Sequence, residues 1–145
     1  MKPAAKIIVL AVSTAAGWVH ALPDDRSKPI EIQANSAERD ARSGVTTYSG
    51  NVDIRQGSIH VAADTVVLNS KNDELTEIIA TGKPATYSQQ LSGQNDVVDA
   101  KAGKIRFQID KDLITLQGNG SLKQKGGSIS GDYIEYDTKT ERVKA

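Results

Sequence analysis

Few side chains in this sequence can do chemistry. It has no cysteine and two histidines, His20 and His60. Thiol catalysis and any Cys-ligated zinc or iron–sulfur site are therefore excluded. A Ser-His-Asp triad would have to use His60, and a histidine-rich metal site cannot be built. No Gly-x-x-x-x-Gly-Lys-Ser/Thr segment occurs, so no nucleotide loop is expected. The most suggestive carboxylates are Asp64, in Ala-Ala-Asp-Thr, and Asp132, in Ser-Gly-Asp-Tyr. A carboxylate pair about 5–10 Å apart is what glycoside hydrolysis needs. These two, however, occupy equivalent places in an internal repeat. Residues so related usually make the same turn contact twice, so no catalytic residue is assigned. Arg55, Lys83, Arg106 and Lys123 are available to meet phosphate groups, although scattered basic residues on strands ordinarily form the solvated face. The sequence balances 18 basic against 18 acidic residues, which argues against nucleic-acid binding. Neither a metal nor a cofactor is expected, and the protein is not expected to be an enzyme.

The first 21 residues must be set aside before the composition is read. Lys2 and Lys6 make a basic start, residues 7–16 are apolar or small, and Val19-His20-Ala21 offers a cleavage site. This is the pattern of a secretory signal peptide. The apolar run is shorter than the roughly 20 residues needed to span a bilayer. Lipidation at the cleavage site would need a cysteine. The expected organisation is a cleaved leader, 1–21, and one domain, 22–145. That domain would keep 16 basic and 18 acidic residues, a formal charge of −2, and His60 alone of the histidines. The lone Trp18 and Met1 fall in the leader.

The elements that position the remaining residues read as strands. Val52-Asp53-Ile54-Arg55, Ile59-His60-Val61 and Ile105-Arg106-Phe107-Gln108-Ile109-Asp110 alternate apolar and polar residues. This period of two puts one set on a buried face and the other in water. Gly50-Asn51, Gly57-Ser58, Asn72-Asp73, Gly118-Asn119-Gly120 and Gly126-Gly127 can supply positive φ and read as turns or bulges. Residues 36–42 read as strand plus turn. His60 falls on the polar side of its run.

A repeat runs through the chain. Thr47-Tyr48-Ser49-Gly50-Asn51 matches Thr115-Leu116-Gln117-Gly118-Asn119 at an offset of 68 (115 − 47). The offset persists without a gap through Val61 and Ile129, Asp64 and Asp132, Val66 and Ile134, and Leu68 and Tyr136. A weaker copy, residues 80–87, lies between. Gly50, Gly82 and Gly118 mark the three copies and are read as structural. Such a repeat of short strands suggests stacked rungs, each burying its apolar face on its neighbours. The end strands would carry unpaired backbone groups that recruit other strands. Ile30-Glu31-Ile32-Gln33 is expected to be the first strand and residues 141–145 the last.

Several segments, in order, resemble the OstA-like (LptA) family of periplasmic proteins. They are Ile30-Glu31-Ile32-Gln33-Ala34-Asn35, Tyr48-Ser49-Gly50-Asn51-Val52, Gln56-Gly57, Ala63-Asp64-Thr65-Val66 and Gly82-Lys83-Pro84-Ala85-Thr86-Tyr87. Leu116-Gln117-Gly118-Asn119 and residues 129–136 match again in the second half. The likeness covers nearly all of the expected mature chain. It implies an all-β fold, an open-ended twisted β-jelly roll of about 16 short antiparallel strands. It also implies a periplasmic carrier that passes lipopolysaccharide along an apolar groove. The implied partners are the inner-membrane extraction complex with its jelly-roll subunit LptC, the N-terminal domain of the outer-membrane translocon LptD, and further copies of the chain, head to tail.

Carried onto this sequence, the likeness places lipid-contacting positions at Ile30, Ile32, Tyr87, Phe107 and Ile109. It places partner edge strands at Ile30, Glu31 and Ile32 and at Arg142, Val143 and Lys144. The residues alone leave two readings of the interior open. One is a small closed aliphatic core, and the other is an unfilled groove that lipid tails complete. The alternative function is a secreted β-solenoid domain that binds or processes cell-wall glycan. The five aromatics after the leader, Tyr48, Tyr87, Phe107, Tyr133 and Tyr136, make a poor sugar-stacking platform.

Overall fold

The computed structural model describes residues 5–9, 25–90, 96–124 and 126–145. The strands are β1 (Ala5–Val9), β2 (Ile30–Ala34), β3 (Ser36–Asp40), β4 (Val45–Gln56), β5 (Ile59–Lys71), β6 (Glu74–Gln90), β7 (Val97–Gln108), β8 (Leu113–Gln124), β9 (Gly127–Asp137) and β10 (Arg142–Lys144). Two short 3-10 turns, η1 (Asp25–Ser27) and η2 (Ile109–Lys111), precede β2 and β8. All strands join one antiparallel sheet in the order β1-β2-β4-β5-β6-β7-β8-β9-β10, with β3 on the other half of β4. From β4 onward each strand pairs with the next in sequence, as hairpins dictate, while β2 and β3 share β4. Asn72 and Asp73, with φ of 53° and 62°, turn β5 into β6, the positive-φ pair that a tight hairpin requires.

Where about sixteen short strands are expected, the described residues form ten, of which β6 runs 17 residues. The long strands are bent rather than ended. Register slips fall between Ser49 and Val52, Ala62 and Thr65, Thr81 and Ala85, Lys101 and Lys104, and Gln117 and Gly120. These bulges align into a crease that divides the sheet into two arms. Bulges sharpen local twist and bend a strand, which is how a sheet can fold over itself. Gly50 and Gly118 sit in the crease with φ of 81° each, followed by Asn51 and Asn119 at 47° and 50°. They were expected as turns or bulges between rungs, and both lie at mid-strand bulges. Gly82 has no positive φ. A Cβ there would come 3.0 Å from the backbone nitrogen of Ala85, so it supplies room.

The repeat is visible in the architecture. The offset of 68 carries β4 onto β8 and the start of β5 onto the start of β9. Val66 and Ile134, a repeat pair, are both fully buried.

The arms close on a shared interior. In the first arm, Ile32, Ile54, Val61, Tyr87, Ala100 and Leu122 stand in register from β2 to β8. In the second, Leu68, Ile78, Phe107, Ile114, Tyr136 and Val143 do so from β5 to β10. Members of both rows belong to, or pack against, one hydrophobic cluster. Tyr87 and Phe107, from opposite arms, meet edge to face with ring centroids 6.5 Å apart, a favoured aromatic geometry.

Two expectations about the ends are modified. β2 is not an edge, because β1 pairs with it antiparallel, Ile7 beside Ile32 and Val9 beside Ile30. Of the expected leader only these five residues, 5–9, are described. The Ala21 cleavage point and Leu22 lie outside the described residues. At the other end β10 pairs with residues 135–137 of β9, and its far side is unpaired among the described residues. Residues 36–42 form β3 and the start of a turn, as the sequence suggested.

Candidate functional site

An apolar groove opens between the arms at the end nearest β2, with a cavity volume of about 210 Å³. Its walls are built by alternation. Ile30 and Ile32 come from β2, Ile54 and Gln56 from β4, Ile59, Val61 and Leu68 from β5, and Leu75, Ile78, Ala80 and Tyr87 from β6. Ile105 and Phe107 from β7, with Ile109 from η2, complete it. All five positions singled out in the sequence, Ile30, Ile32, Tyr87, Phe107 and Ile109, are brought together here. Ile54, Ile59, Val61, Leu68, Leu75, Ile78, Ala80 and Ile105 were missed, although the period-two pattern marked several as inward-facing.

The groove exists because the interior is under-filled at this end. Ala80 projects only a methyl where its neighbours in the strand pairs carry larger groups, and Tyr87 turns its ring toward Phe107. Close-packed cores leave few voids larger than a water molecule, so a cavity of this size is a departure from ordinary packing. Farther across the sheet, on β8 and β9, the interior is solid. Ile114, Leu116, Ile134 and Tyr136 are at most 1% exposed. The repeat sharpens this contrast, since Leu68 lines the groove while its counterpart Tyr136 fills the equivalent space.

The groove wall offers almost no polar chemistry. Gln56 is its one lining residue with a fully polar side-chain head, and its Nε2 donates to the Lys28 carbonyl at 3.0 Å. The Tyr87 hydroxyl donates to Gln89 Oε1 at 2.5 Å. Burial pushes the Tyr136 hydroxyl up to about 12, and the carboxylates of Glu141, Asp96 and Asp137 add to the rise. That hydroxyl has no hydrogen-bond partner among the described residues. Tyr48 is also raised by burial, with Arg39 pulling the other way.

The charged candidates lie elsewhere. Arg55 binds Asp53 at 3.0 Å, and His60 Nε2 lies 2.7 Å from the other oxygen of Asp53. Arg106 pairs with Glu77, which also accepts from Asn69 Nδ2. Arg55, His60 and Arg106 each alternate with groove-facing neighbours and so sit on the opposite face of the sheet. Lys83 is exposed, and Lys123 lines a shallow outer cleft with Asp99, Lys101 and Ser121. Asp64 and Asp132 are exposed beside the crease. Glu31 is exposed on β2, while Arg142 and Lys144 flank half-buried Val143 on β10. Among the described residues no group of three His, Cys, Asp or Glu side chains could hold a metal ion, and no helix is long and apolar enough to cross a membrane.

Comparison with known proteins places these features in context. Residues 31–142 match the family described as LptA/(LptD N-terminal domain) LPS transport protein. The chain is 34% identical over 140 residues to the lipopolysaccharide export system protein LptH of Pseudomonas aeruginosa, covering 96% of this chain and 80% of that protein. It is 36% identical over 144 residues to the lipopolysaccharide export system protein LptA of Haemophilus influenzae, covering 97% and 83%. The crystal structure of LptH, the LptA-homologous periplasmic component of the lipopolysaccharide transport device of P. aeruginosa, superimposes with a TM-score of 0.80 at 34% identity. That superposition covers 85% of each chain.

Proposed function

The chain belongs to the LptA/LptD N-terminal-domain family of lipopolysaccharide transport proteins, and from that premise we propose that it is a periplasmic lipopolysaccharide carrier. It is a component of lipopolysaccharide export and not an enzyme, as its relatives are export proteins of one carrier family. The observation that supports the reading most directly is the apolar groove between the arms, lined by Ile30, Ile32, Tyr87, Phe107 and Ile109.

The mechanism is burial without reaction. Each acyl methylene taken from water into the groove gains about 0.8 kcal/mol. The wall neither hydrogen-bonds nor charges the chain it holds, so successive positions differ little in affinity and the lipid can slide. The glycan alternative lacks support, since a sugar site needs convergent polar groups and the wall presents almost none.

The two arms folded over one interior support reading the fold as the twisted jelly roll that the resemblance implies. The unpaired side of β10 and the edge of β2, once the leader expected at residues 1–21 is removed, are suited to strand addition. The partners proposed there are LptC upstream, the N-terminal domain of LptD downstream, and further copies of the chain between them.

A photo-crosslinking side chain at Ile32 or Ile109, introduced in living cells, should capture lipopolysaccharide. Absence of adducts at both positions would refute the carrier reading.

A further inference from the structure

Asp25 is buried to 5% exposure although it carries a carboxyl group and lies outside every strand. Buried carboxylates are tolerated when they are hydrogen-bonded, and this one is held by three donors. Its Oδ1 accepts the backbone N–H of Ser58 at 2.8 Å. Its Oδ2 accepts the Ser58 hydroxyl at 2.7 Å and Gln89 Nε2 at 3.2 Å. The Ser58 hydroxyl oxygen in turn accepts the Gln90 N–H at 3.1 Å. One carboxylate thus ties η1 to the β4–β5 turn and to the end of β6. The turn is shaped to receive it, since a Cβ on Gly57 would lie 2.4 Å from Asp25 Oδ1.

The cluster touches the groove at two points. Gln89, which donates to Asp25, accepts from the hydroxyl of groove-lining Tyr87. Gln56, also in the groove wall, donates to the carbonyl of Lys28, three residues beyond Asp25. The clasp therefore draws the polar ends of both side chains away from the apolar channel. It also fixes the segment that leads into Ile30. That matters because β2 is weakly held on its inner side, where only Glu31, Gln33 and Ile32 are in register with β4.

We propose that Asp25 is a positioning residue for the carrier function. It clasps the segment before β2 and thereby sets Ile30 and Ile32 at the mouth of the groove. The inference rests on the lipid-carrier reading for its functional consequence, and on the hydrogen-bond geometry for its structural one.

The test compares the native chain with Asp25→Ala and Asp25→Asn. Asn retains an oxygen for the Ser58 N–H but presents an amide where Gln89 donates, so it should fall between the other two. Lipopolysaccharide adducts from a photo-crosslinker at Ile32 should drop about fivefold or more in Asp25→Ala, in line with loss of a charge-assisted cluster. Adducts from Ile109, at the far side of the groove, should not change. Amide hydrogen exchange of residues 30–34 in the purified protein should quicken by a similar factor in Asp25→Ala and less in Asp25→Asn. An equal loss of adducts at Ile32 and Ile109, or unaltered adducts at Ile32, would overturn the proposal. Unaltered exchange in Asp25→Ala would overturn it without reference to lipid. No adducts at either position in the native chain would instead remove the carrier reading, and the exchange result would still decide the clasp.

Discussion

Gly50 and Gly118 hold the same conformation in the two repeat copies, each with φ of 81°, and their surroundings differ. A Cβ on Gly118 would have ordinary room, its nearest contacts being Gly103 Cα and N at 3.9 Å. A Cβ on Gly50 would collide with Asn35, at 2.5 Å from Nδ2, 2.9 Å from Cβ and 3.0 Å from Cγ. Asn35 cannot simply retreat, because its backbone N–H donates to the Gly50 carbonyl at 2.9 Å. Gly118→Ala therefore meets the left-handed penalty alone, about 1–2 kcal/mol. Gly50→Ala meets the same penalty plus an overpacking cost of about 1–3 kcal/mol. Urea unfolding of the two variants measures the difference. With a slope of about 2 kcal/mol/M, the midpoint should fall by about 0.5–1 M for Gly118→Ala and by about 1–2.5 M for Gly50→Ala. Gly118→Val should unfold more readily than Gly118→Ala, since a β-branched side chain tolerates this φ least. Neither glycine lines the groove, so lipid adducts at Ile32 should survive in any variant that folds. Equal midpoints for the two alanine variants would refute the reasoning, as would a variant of native stability that captures no lipid.

Other outcomes follow from the same geometry. Tyr136→Phe removes a buried hydroxyl without a described partner and should raise stability by about 1 kcal/mol, read from the urea midpoint. In the native chain this hydroxyl titrates near 12 when folded and near 10 when unfolded. Its contribution is intact below pH 10 and is lost as pH rises toward 12, so alkaline denaturation should be shifted upward in Tyr136→Phe. Leu68→Phe adds bulk to the groove wall and should weaken lipid capture at Ile32 while leaving circular dichroism unchanged. Arg106→Ala breaks an ion pair on the outer face and should cost less than about 1 kcal/mol, with lipid capture intact.

The sequence carried the faces of the strands better than their lengths. Ile105 and Phe107 were legible as one side of a strand because nothing interrupts their alternation. Elsewhere the phase changes in mid-strand. Buried positions are odd at Val61 and even at Val66 on β5, even at Ala80 and odd at Ala85 on β6. A reader following period two ends the strand at such a slip, and the bulge continues it. Gly118-Asn119 is ambiguous for the same reason, since a hairpin turn and a bulge both call for positive φ. The groove was legible in part through its five named positions. Its other wall, Leu68 and Ile78, depends on how two arms close, which no local pattern encodes. The Asp25 clasp was not legible at all, because its partners Ser58 and Gln89 lie 33 and 64 residues away.

A sheet that runs in chain order keeps its first and last strands apart. From β1 to β10 the path crosses eight interstrand steps, or about 38 Å at roughly 4.8 Å each. A circular permutant would need a linker long enough to cross that width. Cutting at a hairpin does the opposite. A break at Asn72-Asp73 leaves two fragments, each a contiguous piece of sheet, that share a single long seam between β5 and β6. The topology thus makes this chain a poor substrate for rewiring and a good one for splitting into halves that reassemble.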